Sequence, residues 1–155
     1  MGPRHDSFVL RIPTVRSSSS CSRCKKLIDS AWEVVILKVN KQFFSDIGEV
    51  LEDVKANKTW PTTFVSGPSK GLPEHWHDYE VHAYLMEGET WFLDGESGEK
   101  FNVTAGDKII IPSKALHAEG EVEEKAVYIV AIPEPVTNKE FLVMRTASID
   151  NGSKG

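Results

Sequence analysis

The chain has 155 residues, 40% of them hydrophobic and 26% charged, with a formal net charge of −5. This length supports a domain with a real core that needs no disulfide or metal staple. Residues 1–26 hold six basic side chains against one acid, Asp6, while the remainder holds 12 basic and 22 acidic residues. Such an acidic body speaks against nucleic-acid binding, which needs a cationic footprint. A membrane span is also excluded, since even the apolar run Ala31–Val39 is broken by Glu33 and Lys38.

Residues 1–28 read as a flexible basic tail, marked by the low-complexity run Ser17–Ser20. The tail lacks the apolar centre of a secretory signal. A cytoplasmic protein is therefore expected, with the Arg- and Ser-rich head leaving organelle targeting open. Cys21 and Cys24 form a lone C-x-x-C. A zinc site needs four ligands and a redox motif needs a thioredoxin-like context, so both are read as reduced bystander thiols.

A single domain is expected over residues 29–145, followed by a disordered tail over 146–155 that ends Asn151-Gly-Ser-Lys-Gly155. Its first strand is predicted over Ala31–Val39, which is dense in β-branched residues. One short helix follows from Asp46 to Ala56, where Ile47, Val50, Leu51 and Val54 recur at helical spacing and Asp46 with Glu49 resembles a capping box. From Trp60 the text changes to short extended runs: Trp60–Val65, Leu72–His77, Tyr79–Met86, Thr90–Leu93, Lys100–Val103, Lys108–Ile111, Leu116–Ala118 and Ala126–Ile132. Turn residues such as Gly67-Pro68, Asp94-Gly95 and Ala105-Gly106 separate them. Many short strands at regular spacing predict an all-β sandwich or barrel.

Four of the five histidines fall between residues 75 and 117. His75 and His77 are separated by one residue, so on an extended chain both point to the same side of a sheet. His117, brought beside them by the fold, completes a facial set of imidazoles able to hold a divalent metal. Trp76, Tyr79, Tyr84, Trp91 and Phe92 are candidates to line a pocket or to pack the sheet.

Two blocks carry a resemblance. In the first, Glu74-His75-Trp-His77 and Leu85-Met86-Glu87-Gly88-Glu89 match the two ends of G-x5-H-x-H-x(3,4)-E-x6-G. In the second, Gly106, Pro112 and His117 fall at the spacings of G-x5-P-x-G-x2-H-x3-N, with Lys114 in place of the glycine and Glu121 in place of the asparagine. These are the two motifs of the cupins, and residues 60–133 resemble a small single-domain member of that superfamily. The resemblance implies a double-stranded β-helix, or jelly roll, with one short N-terminal helix. It also implies metal ligation by His75, His77, His117 and a carboxylate.

Counting back from Gly88, the motif's glutamate slot holds Val81, and Glu80 lies one residue early. A one-residue slip turns a strand side chain to the opposite face, so Glu80 reaches the metal only through a bulge near Asp78-Tyr79. His82 is the substitute ligand ranked behind it. Three imidazoles with at most one carboxylate suit Fe(II), Mn(II), Ni(II) or Zn(II) and leave positions open for substrate. The resemblance implies a metal-dependent enzyme, a dioxygenase or else a lyase or isomerase, acting on a small organic acid or carbonyl compound. Tyr84 and Glu80 are its candidate catalytic groups. The alternative is a non-catalytic module that binds a small ligand. A homodimer is expected through the edge Trp32-Glu-Val-Val-Ile-Leu37.

Overall fold

The computed structural model describes residues 35–134 and 143–146. Their elements are β1 (Lys38–Asn40), α1 (Ile47–Ala56), β2 (Trp60–Ser66), β3 (Leu72–His75), β4 (Val81–Glu87), β5 (Glu89–Asp94), β6 (Lys100–Thr104), β7 (Lys108–Ile111), β8 (His117–Glu119) and β9 (Ala126–Ile132). One sheet runs β1-β7-β4-β9-β2 and the other β3-β8-β5-β6.

The pairing is nested. β5 pairs with β6, and around that hairpin β4 pairs with β7, β3 with β8 and β2 with β9, all antiparallel. Successive pairs alternate between the two sheets. A long hairpin rolled in this way is a jelly roll, the double-stranded β-helix.

Alternation along β4 creates two cores. Val81, Ala83 and Leu85 face inward and pack with Ile109, Ile111 and Val130 of the same sheet and Phe92 and Val103 of the other. Tyr84 faces outward and packs with Phe44, Val50, Val54, Ile129 and Ala131 beneath α1. The helix begins where the sequence places it, because the Asp46 carboxylate accepts from the Glu49 N–H and the Glu49 carboxylate reaches back to the Ser45 N–H. Only half of its apolar stripe is used: Val50 and Val54 are buried, whereas Ile47 and Leu51 stay exposed.

Three strand boundaries differ from the sequence reading by two residues or more. Within the described part of Ala31–Val39 the ladder starts only at Lys38, since the Leu37 N–H donates instead to Asp94 Oδ2 at 2.6 Å. β3 stops at His75 because Trp76 pairs with Arg145 rather than with β8. β4 starts at Val81, after a bend at Asp78 and Tyr79. The basic tail, Cys21, Cys24, residues 32–34 of the proposed dimer edge and residues 147–155 lie outside the described residues. No helix among the described residues is long and apolar enough to cross a membrane.

Candidate metal centre

The local sequence brings the three imidazoles together by identifiable means. Gly71 has φ +88°, and a Cβ there would stand 2.3 Å from the Glu119 carbonyl oxygen. Glycine therefore lets β3 close onto β8, with Leu72 opposite Glu119 and His75 opposite His117. His77 lies two residues past the end of β3 and is held from several sides. Its carbonyl accepts from the Lys114 N–H at 2.8 Å, Trp76 and Arg145 exchange backbone bonds at 2.9 Å, and the ring stacks on Tyr79. Lys114, in the slot where the cupin motif has glycine, has φ +64°. The turn there needs the left-handed conformation whichever residue fills it.

All three histidines are buried, and their nearest ring nitrogens lie within 4.8 Å of one another. Each Nδ1 faces a backbone carbonyl: Pro73 for His75 at 2.8 Å, Val143 for His77 at 3.1 Å and Ala115 for His117 at 2.9 Å. A carbonyl can only accept, so each Nδ1 carries the proton and each neutral ring presents a bare Nε2. The Nε2 atoms of His75 and His117 are buried with no hydrogen-bond partner among the described residues. Burial holds all three rings below the usual imidazole range, with His117 pushed down to about 4. Neutral rings with converging, unsatisfied lone pairs suit a divalent cation, and the second-layer carbonyls fix the ring orientation that such a site requires.

The other site residues expected from sequence are placed elsewhere. Glu80 and His82 share the outer side of the first sheet, where the exposed Glu80 carboxylate pairs with His82 Nε2 at 2.8 Å. The bend at Asp78-Tyr79 does not re-aim Glu80 inward, and strand alternation from Val81 carries both residues away from the cluster. Tyr84 is also on the outer face, its hydroxyl donating to Asp53 beneath α1. Burial there raises its pKa well above the ordinary tyrosine range. It has no path to the cluster. Among the aromatics, Phe92 reaches the interior, whereas Trp91 bonds Glu121 on the outside.

The carboxylate that does face the cluster is Glu119. Its Oε1 lies 3.6 Å from His75 Nε2, and burial pushes its carboxyl up to about 7. The signal was present in the sequence, because His117-Ala-Glu119 repeats the alternation of His75-Trp-His77, so both ends of each triplet face one way. Tyr128 of β9 joins it in a cavity of about 340 Å³ that opens beside the histidines. Burial, and then the Glu119 charge, raise the Tyr128 hydroxyl pKa.

The rolled hairpin, with His75 at the end of β3, His77 just past it and His117 opposite on β8, settles the architecture. It is a double-stranded β-helix barrel. No protein-family model matches the chain, and no curated protein does. Among solved structures, a DUF861 family protein from Thermotoga maritima is 20% identical, with 62% of this chain and 98% of that one covered and a TM-score of 0.45. The polyketide cyclase RemF from Streptomyces resistomycificus is 20% identical over 74% of this chain and 73% of its own, with a TM-score of 0.46. A cupin-2 domain containing protein from Shewanella frigidimarina is 18% identical over 52% and 72%, with a TM-score of 0.42.

Proposed function

We propose that this cupin barrel is a metal-dependent enzyme acting on a small organic acid or carbonyl compound, with His75, His77 and His117 as the metal ligands. The observation that carries the reading is the pair of buried Nε2 atoms, on His75 and His117, that lack a hydrogen-bond partner among the described residues. An unsatisfied buried polar atom costs about 1–3 kcal/mol, and two aimed at one point need a common occupant. When bound there, a divalent ion such as Fe(II), Mn(II), Ni(II) or Zn(II) supplies Lewis acidity toward a carbonyl or carboxylate oxygen.

The chain's own residues supply the rest. The three imidazoles fix the point at which the polar head of a substrate is held, and the apolar walls keep water from it. Glu119 stands beside His75, inside the cavity, where its carboxylate can take a proton from a carbon next to the held carbonyl. That placement favours lyase or isomerase chemistry over the dioxygenase reading, which requires no base on the wall.

The test is proton exchange. In D2O, the metal-loaded protein is expected to exchange the α-hydrogens of a 2-oxo acid, followed by NMR, and Glu119→Gln is expected to slow this at least 100-fold while keeping its metal. Oxygen consumption without exchange supports the dioxygenase reading instead. Tight ligand binding with neither activity supports a binding module.

A further inference from the structure

We infer that the substrate is a compact molecule with an apolar body and a single polar head, and not a phosphate ester, a sugar or a compound with a second acidic group. This rests on the metal reading above and adds what the cavity accepts. Away from the histidines the wall is built from Leu72, Val81, Ala83, Phe92, Ile111 and Val130. Phe64 and Met144 also line it and are 44% and 49% exposed, which places them at its mouth. The polar side chains besides the histidines are Glu119 and the Tyr128 hydroxyl.

Among the described residues no lysine, arginine, serine, threonine, asparagine or glutamine lines the cavity. A phosphate or carboxylate at the far end of a molecule whose head is held at the histidines would lose its hydration and meet no further cation. Each hydroxyl of a sugar beyond those that Glu119 and Tyr128 can serve would be left unpaired. An alkyl or aryl body loses nothing by entering and gains from leaving water. About 340 Å³ lies at the small end of ligand pockets, so one compact molecule fills it.

A matched pair of probes tests this. 2-Oxohexanoate and 2-oxoglutarate share the same chelating head and differ in whether the far end is apolar or anionic. Titration calorimetry on the full chain loaded with zinc, which is redox-inert, is expected to show 2-oxohexanoate binding at least 10-fold more tightly, and glucose 6-phosphate not binding. Ala83→Phe, which fills the cavity, is expected to weaken 2-oxohexanoate at least 10-fold with the zinc content unchanged. Met144→Asp at the exposed mouth, where folding is not at stake, is expected to weaken it several-fold. Equal affinity for the pair, preference for 2-oxoglutarate, or no binding of either by the zinc-loaded protein overturns the inference and leaves the metal reading standing. A protein that takes up no zinc overturns both.

Discussion

Each imidazole in the cluster has its tautomer set by one backbone carbonyl, so the three rings can serve as ligands through Nε2 without rearrangement. His117→Ala or His75→Ala should therefore reduce bound metal to a small fraction of one equivalent, as read by elemental analysis. Full metal content in either variant would remove the assignment. Glu80→Ala should leave metal affinity unchanged, because its carboxylate pairs with His82 on the far side of the sheet. It should still lower stability by about 1 kcal/mol in denaturant unfolding, since His82 is buried, its Nδ1 has no hydrogen-bond partner among the described residues, and the substitution strips Nε2 as well. The three histidines were legible because the one-residue gap puts His75 and His77 on one side of an extended chain, and the Gly106, Pro112 and His117 spacing of the second motif brings in the third. Glu80 stayed open between ligand and solvent-facing carboxylate because motif counting does not show where a strand begins, and a start at Val81 sends residues 80 and 82 outward together. Glu119 was legible in principle from the i, i+2 step after His117, but no motif position drew the eye to it.

The elements were easier to read than their ends. Runs of β-branched residues separated by glycine turns gave β2, β7 and β9 almost to the residue, because sheet pairing there follows local pattern. What local pattern cannot carry is a contact such as Trp76 with Arg145, which joins residues 69 positions apart and decides where β3 ends. That same contact leads Val143 to His77, so a segment with no strand signature helps hold a candidate ligand. The β7–β8 turn offers a sharper test. Lys114 is held at φ +64°, a conformation that costs a non-glycine residue about 1–2 kcal/mol. Glycine removes that cost but raises the entropy lost on folding by about 0.5–1 kcal/mol. Lys114→Gly should thus stabilise the protein by up to about 1 kcal/mol, with metal content intact, because the bond to the His77 carbonyl uses only the backbone N–H. A loss of stability would show that the lysine side chain contributes something the geometry does not reveal.

At the scale of the whole molecule, a cation held at the cluster would couple proton uptake, metal binding and folding. The folded pKa of His117 is lowered from 6.5 to about 4, and those of His75 and His77 are lowered as well, each chiefly by burial. As pH falls below 6.5 the unfolded chain takes up protons that the folded chain refuses. Stability of the metal-free protein must then decline through that window and level off once the folded rings also protonate. For His117 alone this amounts to roughly 3 kcal/mol. Glu119 works in the opposite sense. Its carboxyl, raised to about 7, keeps a proton that the unfolded chain releases, so it favours the fold as pH drops from 7 toward 4.5. One carboxyl with part of its side chain open to the cavity is outweighed by three buried rings. Metal adds to the same balance: at a hundredfold excess over its dissociation constant it contributes about 2.7 kcal/mol, which should raise Tm by roughly 5–15 °C. Protons compete for the same Nε2 atoms, so that rise should be full at pH 7.5 and shrink toward nothing near pH 4.5. Calorimetric scans with and without zinc across this range measure both slopes. A metal-free Tm that holds constant from pH 7 to 4.5, or a zinc-induced rise that survives at the acid end, would mean that the buried imidazoles are not what links the barrel's stability to its cation.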